Sequence, residues 1–297
     1  MIDWGQIRNP VFLHGNRRVA YRDPAAFYHL GLFRVFHTQV HRDEKGLCFL
    51  VTAVTKSEDL VTWTLPEILT PKNQALNYSS PGNVIRSGKE WLLCLQTYPT
   101  PHNEPTGDRT ARVFVMRSPD LDKWSEPEML RVKGEDVPRE EMGRMIDPYL
   151  IADKDDPEKW WCFYKQNGAS MSFSHDLKTW TYFGRVEAGE NVCIVVEKGE
   201  YVLFHSPKNG VGIKRSSDFQ TWREGGLLTL GQPGWPWAHG RLTAGHVLDL
   251  REEPAVGKAV MFFHGSSEEG TIERETHGHA SLAMAWSEDL IHWQWPG

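Results

Sequence analysis

Several common features are scarce or missing in this 297-residue chain, and each absence excludes a class of protein. There are four cysteines, Cys48, Cys94, Cys162 and Cys193, with no CxxC pair and no zinc-ligand spacing. Each sits inside an apolar run, as in GLCFLV and NVCIVV, and reads as a small buried hydrophobe of a reducing compartment rather than part of a disulfide framework. No apolar run approaches the length of a membrane span, so no membrane partner is expected. Positive charge is in deficit, with 33 Lys and Arg against 39 Asp and Glu and a net charge of -6. That argues against nucleic acid as a partner. The opening MIDWGQIRNP has no basic region followed by an apolar run, so no signal peptide is read and a cytoplasmic location is expected. No stretch keeps a helical period.

What the chain has is tryptophan, 13 in all, and a repeat that spaces five of them. The pattern Ser-x-Asp-Leu/Phe-x-x-Trp occurs at Ser57 to Trp63, Ser118 to Trp124, Ser174 to Trp180, Ser216 to Trp222 and Ser287 to Trp293. Ser and Asp side chains can accept hydrogen bonds from nearby backbone amides and hold a turn. The Leu or Phe tucks beneath it, and the Trp opens the next strand with a large packing face. Each copy is preceded by three short β-rich segments separated by Gly, Pro and Asp. The second segments, such as WLLCLQ and YVLFH, are almost continuously apolar, as a strand buried on both faces should be.

Five units of four strands predict an all-β, five-bladed β-propeller. The chain is read as a single domain over 1–297, with blades at roughly 21–70, 78–130, 145–185, 189–228 and 243–297. The fifth unit ends in a very short strand at WQWPG. The segment 1–20 is therefore either a loose arm or the piece that closes the ring. Long insertions at 98–110, 132–144 and 265–278 are expected to form the rim of one face.

The first strand of each propeller blade lines the central channel. Aligning the units on those strands places Asp23, Ser79 and Ser80, Asp147, Glu190 and His246 at one mouth. Two Asp, one Glu and one His in a single radial layer point to a site, because converging titratable groups perturb one another. The aromatic run GWPWAHGR supplies Trp235 and Trp237 as sugar-stacking candidates, with His239 and Arg241 beside them. Arg22 and Ser80 are further substrate-contact candidates. His102, Asn103 and Arg109 fall in the second-blade insertion. The cluster Glu273, Glu275, His277 and His279 matches no familiar metal spacing and reads as a solvated loop.

These residues resemble glycoside hydrolase family 43 and related five-bladed propeller glycosidases, over essentially the whole chain. The resemblance implies that Asp23, in Asp23-Pro24, is the general base. It implies that Asp147, in Asp147-Pro148, tunes and orients the acid, and that Glu190 is the general acid. It implies that Gly245-His246 lies at the channel axis, with a calcium ion or a water there as the sole metal-site expectation and no cofactor required. Glu190 is followed by Asn191 and Val192 where the family has Gly-Pro, which keeps His239 and His246 open as rivals for the acid. The second blade has Ser79-Ser80-Pro81 where the family often has Trp-Ala-Pro.

The chemistry fits the residues directly: one carboxyl protonates the leaving oxygen and one carboxylate activates water. An inverting, exo-acting glycosidase acting on short arabinofuranosides, xylosides or galactosides is the expected function, with carbohydrate as the partner. A non-catalytic carbohydrate-binding propeller and a phosphorylase or transferase relative are the alternatives. The sequence does not specify an oligomeric state.

Overall fold

A computed structural model describes residues 1–268 and 279–296. Five antiparallel sheets follow one another along the chain and give a five-bladed β-propeller. The first blade runs Val19–His29, Leu32–Arg42, Cys48–Ser57 and Glu67–Ile68 from the axis outward. The second is Val84–Ser87, Glu90–Gln96, Val113–Ser118 and Glu128–Met129; the third is Ile146–Ala152, Trp160–Lys165, Ala169–Ser174 and Thr181–Val186. The fourth is Glu190–Glu197, Glu200–Ser206, Val211–Ser216 and Arg223–Leu228. The fifth is Arg241–Leu250, Lys258–Ser266 and Ser281–Ser287, with Val11–Leu13 and Trp293–Gln294 both paired to Ser281–Ser287.

That last pairing decides the question left open by the sequence. Val11 faces Ala283 and Leu13 faces Leu282, so the N-terminal segment contributes an outer strand to the last blade and fastens the ring. The short Trp293–Gln294 strand covers only the other end of that edge. Together the two short strands share the role that one outer strand plays in the other blades, and they leave less unpaired edge.

The five repeated turns are built alike. In the first, Ser57 Oγ accepts from the Leu60 amide at 2.8 Å, and Asp59 Oδ1 accepts from Val61 and Thr62 at 2.8 and 2.7 Å. The same bonds recur at Ser118/Asp120, Ser216/Asp218 and Ser287/Asp289. At the remaining turn Asp176 caps Lys178 and Thr179. The apolar residue of each turn, Leu60, Leu121, Leu177, Phe219 or Leu290, has a positive φ between 59° and 69° and is buried. A non-glycine residue pays roughly 1–2 kcal/mol for that backbone. Burying a Leu or Phe side chain returns roughly 1.5–3 kcal/mol, which is why an apolar residue rather than glycine holds the position. The sequence reading placed the Trp at the opening of the fourth strand. That is so at Trp293, and within one residue after Trp180 and Trp222, but the outer strands of blades one and two begin four residues later, at Glu67 and Glu128.

Strand direction sorts the loops. First strands begin at the mouth and third strands run parallel to them, so all five repeated turns lie on the far face. The insertions at 98–110 and 132–144 and the connection at 229–240 lie on the mouth face. First-blade strands are long, 11, 11 and 10 residues, and rise past the mouth as a wall. Asn103 ties the second-blade insertion to that wall, donating to Gly46 O at 3.2 Å and accepting from the Cys48 amide at 2.8 Å. The four cysteines are free and buried. Burial pushes the Cys94 thiol up to about 12 and the Cys193 thiol to about 11, so neither is poised to react. Among the described residues no helix is long and apolar enough to cross a membrane.

Candidate active site

At the mouth, the innermost strands share one irregularity. Their ladders slip at Arg22/Ala25, Ile146/Tyr149, Glu190/Cys193 and Thr243/His246. Within each slip one non-glycine residue has a left-handed backbone: Asp23 (φ 50°), Asp147 (φ 53°), Asn191 (φ 51°) and Ala244 (φ 56°). Ser80 (φ 42°) holds the same place in the second blade. A bulge of this kind inserts one residue and re-aims its side chain. Five such residues at one level are a backbone strain of roughly 1–3 kcal/mol each, of the sort concentrated at functional sites.

This corrects the alignment made from sequence. The equivalent residues are Asp23, Ser80, Asp147, Asn191 and Ala244. Glu190 stands one position before this layer and His246 two positions after it, so they are not in the same radial layer as the two Asp. Below the layer the blades close on one another: a Cβ added at Gly82 would lie 1.5 Å from Pro148 O.

Above the layer lies a cleft of about 100 Å³. Asp23, Asp147 and Glu190 all line it, from blades one, three and four, together with Arg22 and Ser80. Tyr98, Arg144, Gln96, Leu50 and Asn191 also line it, and none of these was picked out in the sequence. Tyr98 and Arg144 come from the two long insertions, which carry no periodic pattern to flag them.

Asp23 is buried and held from several sides. Its Oδ2 accepts from Ser80 Oγ at 3.0 Å and Thr38 Oγ1 at 3.1 Å, and Thr38 Oγ1 in turn accepts from the Ser80 amide at 2.7 Å. Arg22 Nη2 lies 4.0 Å from Oδ1. Burial pushes the Asp23 carboxyl up, but Arg22, His264 and the two hydroxyls more than offset it and hold it below its ordinary value. His264 Nδ1, 3.8 Å from Oδ1, already accepts the Asp23 amide hydrogen at 3.1 Å. That bond favours the neutral ring, so Arg22 and the hydroxyls are the stronger causes.

Asp147 is held the other way. Burial, then the neighbouring Glu190 and Asp23 carboxylates, push it well above its ordinary value, with Arg144 and Arg22 opposing. Its amide donates to Gln96 Oε1, and Asn191 Nδ2 donates to its Oδ1 at 3.3 Å. Glu190 is half-buried, and its Oε1 accepts from Arg241 Nη2 at 3.0 Å. The cleft therefore holds one carboxyl kept ionised and one kept protonated, the division that acid–base chemistry needs.

The other candidates fall elsewhere. Trp235 and Trp237 stack on each other at 5.1 Å and on Phe263 at 5.9 and 6.1 Å, and Trp235 meets Trp295 edge-on. Neither lines the cleft. His239 is exposed, with Nε2 3.0 Å from Pro233 O, and is likewise outside the lining. His246 is buried below the layer, where Nε2 donates to Ala26 O at 3.1 Å. Burial lowers it to about 4, so it is neutral near pH 7. It borders an axial space of about 10 Å³, with Asp23 and Asp147 on the same lining. A calcium ion takes 6–8 oxygen ligands, whereas about 10–15 Å³ suits one water. The donor set at His246 thus fits a water better than a hard cation. Among the described residues no group of three or more His, Cys, Asp and Glu is placed to hold a metal. Glu273, Glu275 and His277 lie outside the described residues.

No family model matches the chain, and no curated protein sequence matches it. Solved structures do. A family 117 glycoside hydrolase produced by the marine bacterium Zobellia galactanivorans aligns with a TM-score of 0.64, 14% identity, and coverage of 93% of this chain and 88% of that one. An exo-1,5-α-L-arabinanase from a bovine ruminal metagenomic library gives 0.61, 16%, 90% and 93%. A thermostable family-43 glycoside hydrolase gives 0.61, 12%, 96% and 96%. The chain has the fold of these propeller glycosidases. The resemblance read from the sequence holds at that level, and within this propeller fold the three carboxyls stand at the mouth of the channel.

Proposed function

We propose that the protein is a glycoside hydrolase that cleaves short glycosides with inversion. The observation that carries the reading is the meeting of Asp23, Asp147 and Glu190 in one cleft, with Asp23 held below and Asp147 held above the ordinary carboxylate range. Asp23, ionised and anchored by Ser80 and Thr38, takes the proton of the attacking water. Burial and the neighbouring Glu190 and Asp23 charges drive Asp147 toward its protonated form. Glu190, the more exposed carboxyl, delivers a proton to the leaving oxygen, and Asp147, held by Asn191, lines the same cleft beside it. In the free cleft Arg241 pairs with Glu190. The burial of His246 and the outward position of His239 support Glu190 over either histidine as the acid. We assign the axial space at His246 to a water. Arabinofuranosides, xylosides and galactosides are the substrate classes to try first.

The test is a screen of 4-nitrophenyl glycosides with the wild-type protein and Asp23→Asn. Turnover of at least one glycoside that is lost in the variant supports the reading. Binding of sugars without turnover of any would move the protein to the carbohydrate-binding alternative.

A further inference from the structure

The left-handed residues of the mouth layer are held from the blade before them. On every second strand one residue sits opposite the residue that precedes the left-handed position of its own blade. These are Thr38 opposite Arg22, Gln96 opposite Ser79, Lys165 opposite Ile146, Ser206 opposite Glu190 and His264 opposite Thr243. Four of the five accept the amide hydrogen of the left-handed residue in the next blade around the ring. Thr38 Oγ1 accepts from Ser80 at 2.7 Å, Ser206 Oγ from Ala244 at 2.7 Å, His264 Nδ1 from Asp23 at 3.1 Å, and Gln96 Oε1 from Asp147. All four are buried. The fifth is Lys165, whose ammonium has no lone pair to accept with. In the fourth blade a side chain of the same blade acts instead: His205 Nδ1 accepts from the Gly189 amide at 2.9 Å, two residues before Asn191.

Thr, Gln, Ser and His differ in size and shape and share only an acceptor atom, so packing does not select them. A buried amide needs some acceptor, but His205 shows that one blade can supply its own. The bond between blades does more. It fixes a backbone conformation that L residues rarely adopt, and such a conformation persists only where the surroundings over-determine it. The direction of a side chain follows from its backbone, so holding the amide of a bulged residue also sets where its side chain is aimed. For Asp23 and Asp147 the aimed group is a carboxyl that lines the cleft. For Ala244 it is a methyl group.

We propose that His264 and Gln96 are positioning residues of this site, His264 setting the carboxyl of Asp23 and Gln96 that of Asp147, each from the blade before. Ser206 is the same device where no reacting group is carried. The proposal deepens the glycosidase reading of the cleft and rests on it for the effect on rate, but not for the effect on geometry.

The test is a set of crystal structures and kinetics on full-chain Gln96→Met, His264→Leu and Ser206→Ala. In Gln96→Met the backbone at Asp147 should leave the left-handed region and its carboxyl turn from the cleft, with Asp23 unmoved. In His264→Leu the reverse should hold. On the best 4-nitrophenyl glycoside each of these two should lower kcat by about 10²-fold, the cost of misplacing a reacting group by about 1 Å, with KM nearly unchanged. His264→Asn, whose side-chain oxygen stands near the place of Nδ1, should restore most of the rate, and His264→Gln should not. That pair carries the same comparison if His264→Leu fails to fold. Ser206→Ala should keep kcat within a few-fold. Carboxyls that stay in place in both variants overturn the inference, and so does a loss of kcat in Ser206→Ala equal to that in the other two. Carboxyls displaced as described in a protein that turns over no glycoside support the inference and remove the hydrolase reading. Undisplaced carboxyls in an active wild type and active variants overturn the inference and leave that reading standing.

Discussion

The two faces of this propeller are made on opposite terms. On the far face one turn is written five times, and its hydrogen bonds recur with nearly the same lengths from blade to blade. On the mouth face the blades differ: the left-handed position is Asp, Ser, Asp, Asn and Ala in turn, with only the first and third alike. The backbone is repeated at both ends, but the side chains are repeated only at one. Where the requirement is to turn the chain and seal a blade, one local solution serves every time. Where the residues face one shared cleft, the group supplied changes around the ring, and the two Asp are held in opposite charge states by their surroundings. Changes on the far face should therefore move stability and leave turnover alone, and changes in the mouth layer should do the reverse.

The largest effect is expected from Asp23→Asn. An amide cannot take a proton from water, so turnover should fall by about 10²–10⁴, the range of one acid–base step, or more. The melting temperature should stay near that of the wild type, because Ser80 and Thr38 can still hydrogen-bond to the amide oxygen. Activity within a few-fold of wild type would remove Asp23 as base. Glu190→Gln comes next, and its effect should depend on the leaving group. Alkyl glycosides should slow by about 10²–10⁴, and aryl glycosides with good leaving groups much less. Equal slowing on both would take the acid role from Glu190.

The pH profile sharpens the same contrast within the mouth. Asp23 is held down, so it remains ionised at pH values where an ordinary Asp begins to protonate, and the acid limb of kcat/KM should lie below the ordinary Asp range. Asp147 is held up by burial and by its two acidic neighbours, so it keeps its proton to higher pH than an ordinary Asp, and the alkaline limb should respond to it. In Asp147→Asn that limb should move while the acid limb stays.

Stability has its own pH dependence. His37, His205 and His246 are each lowered by burial to about 4, from about 6.5 when unfolded. Below about pH 6.5 the unfolded chain takes up protons that the native state refuses, so stability falls through that window toward pH 4. The turn carboxylates act lower: Asp176 is held at about 2 by the amides of Thr179 and Lys178, so its contribution is present above about pH 4 and is lost as pH falls through about 2. Chemical denaturation at pH 7, 5 and 3 would show both windows, and a flat profile from pH 7 to 4 would contradict the neutral histidines. The smallest effect is expected from Ser174→Ala or Ser57→Ala on the far face, about 1 kcal/mol in stability for a lost cap-type bond and no change in turnover. A loss of turnover without a loss of stability there would break the division between the faces.

Sequence legibility followed the same division. The far-face turns could be read because Ser and Asp accept from amides two and three residues away and the Leu or Phe between them is buried. Asp23 and Asp147 could be read because an Asp-Pro pair marks the bulge. Asn191 and Ala244 could not: the bulge inserts a residue, so counting along the strand put Glu190 and His246 in the layer instead. Arg144 and Tyr98 reach the cleft from insertions whose course depends on tertiary contacts such as Gln166 to the Arg144 carbonyl. Trp235 and Trp237 misled in the other direction, since a tryptophan that packs on Phe263 and one that stacks a sugar look the same in sequence.

The central claim is that Asp23 delivers water to the face of the sugar opposite the departing group. Proton NMR of the first sugar released from the best 4-nitrophenyl glycoside, recorded before mutarotation, tests it most directly. The inverted anomer should appear first and then equilibrate. Initial release of the retained anomer would mean a covalent intermediate and a nucleophile in place of a base, and would contradict the account.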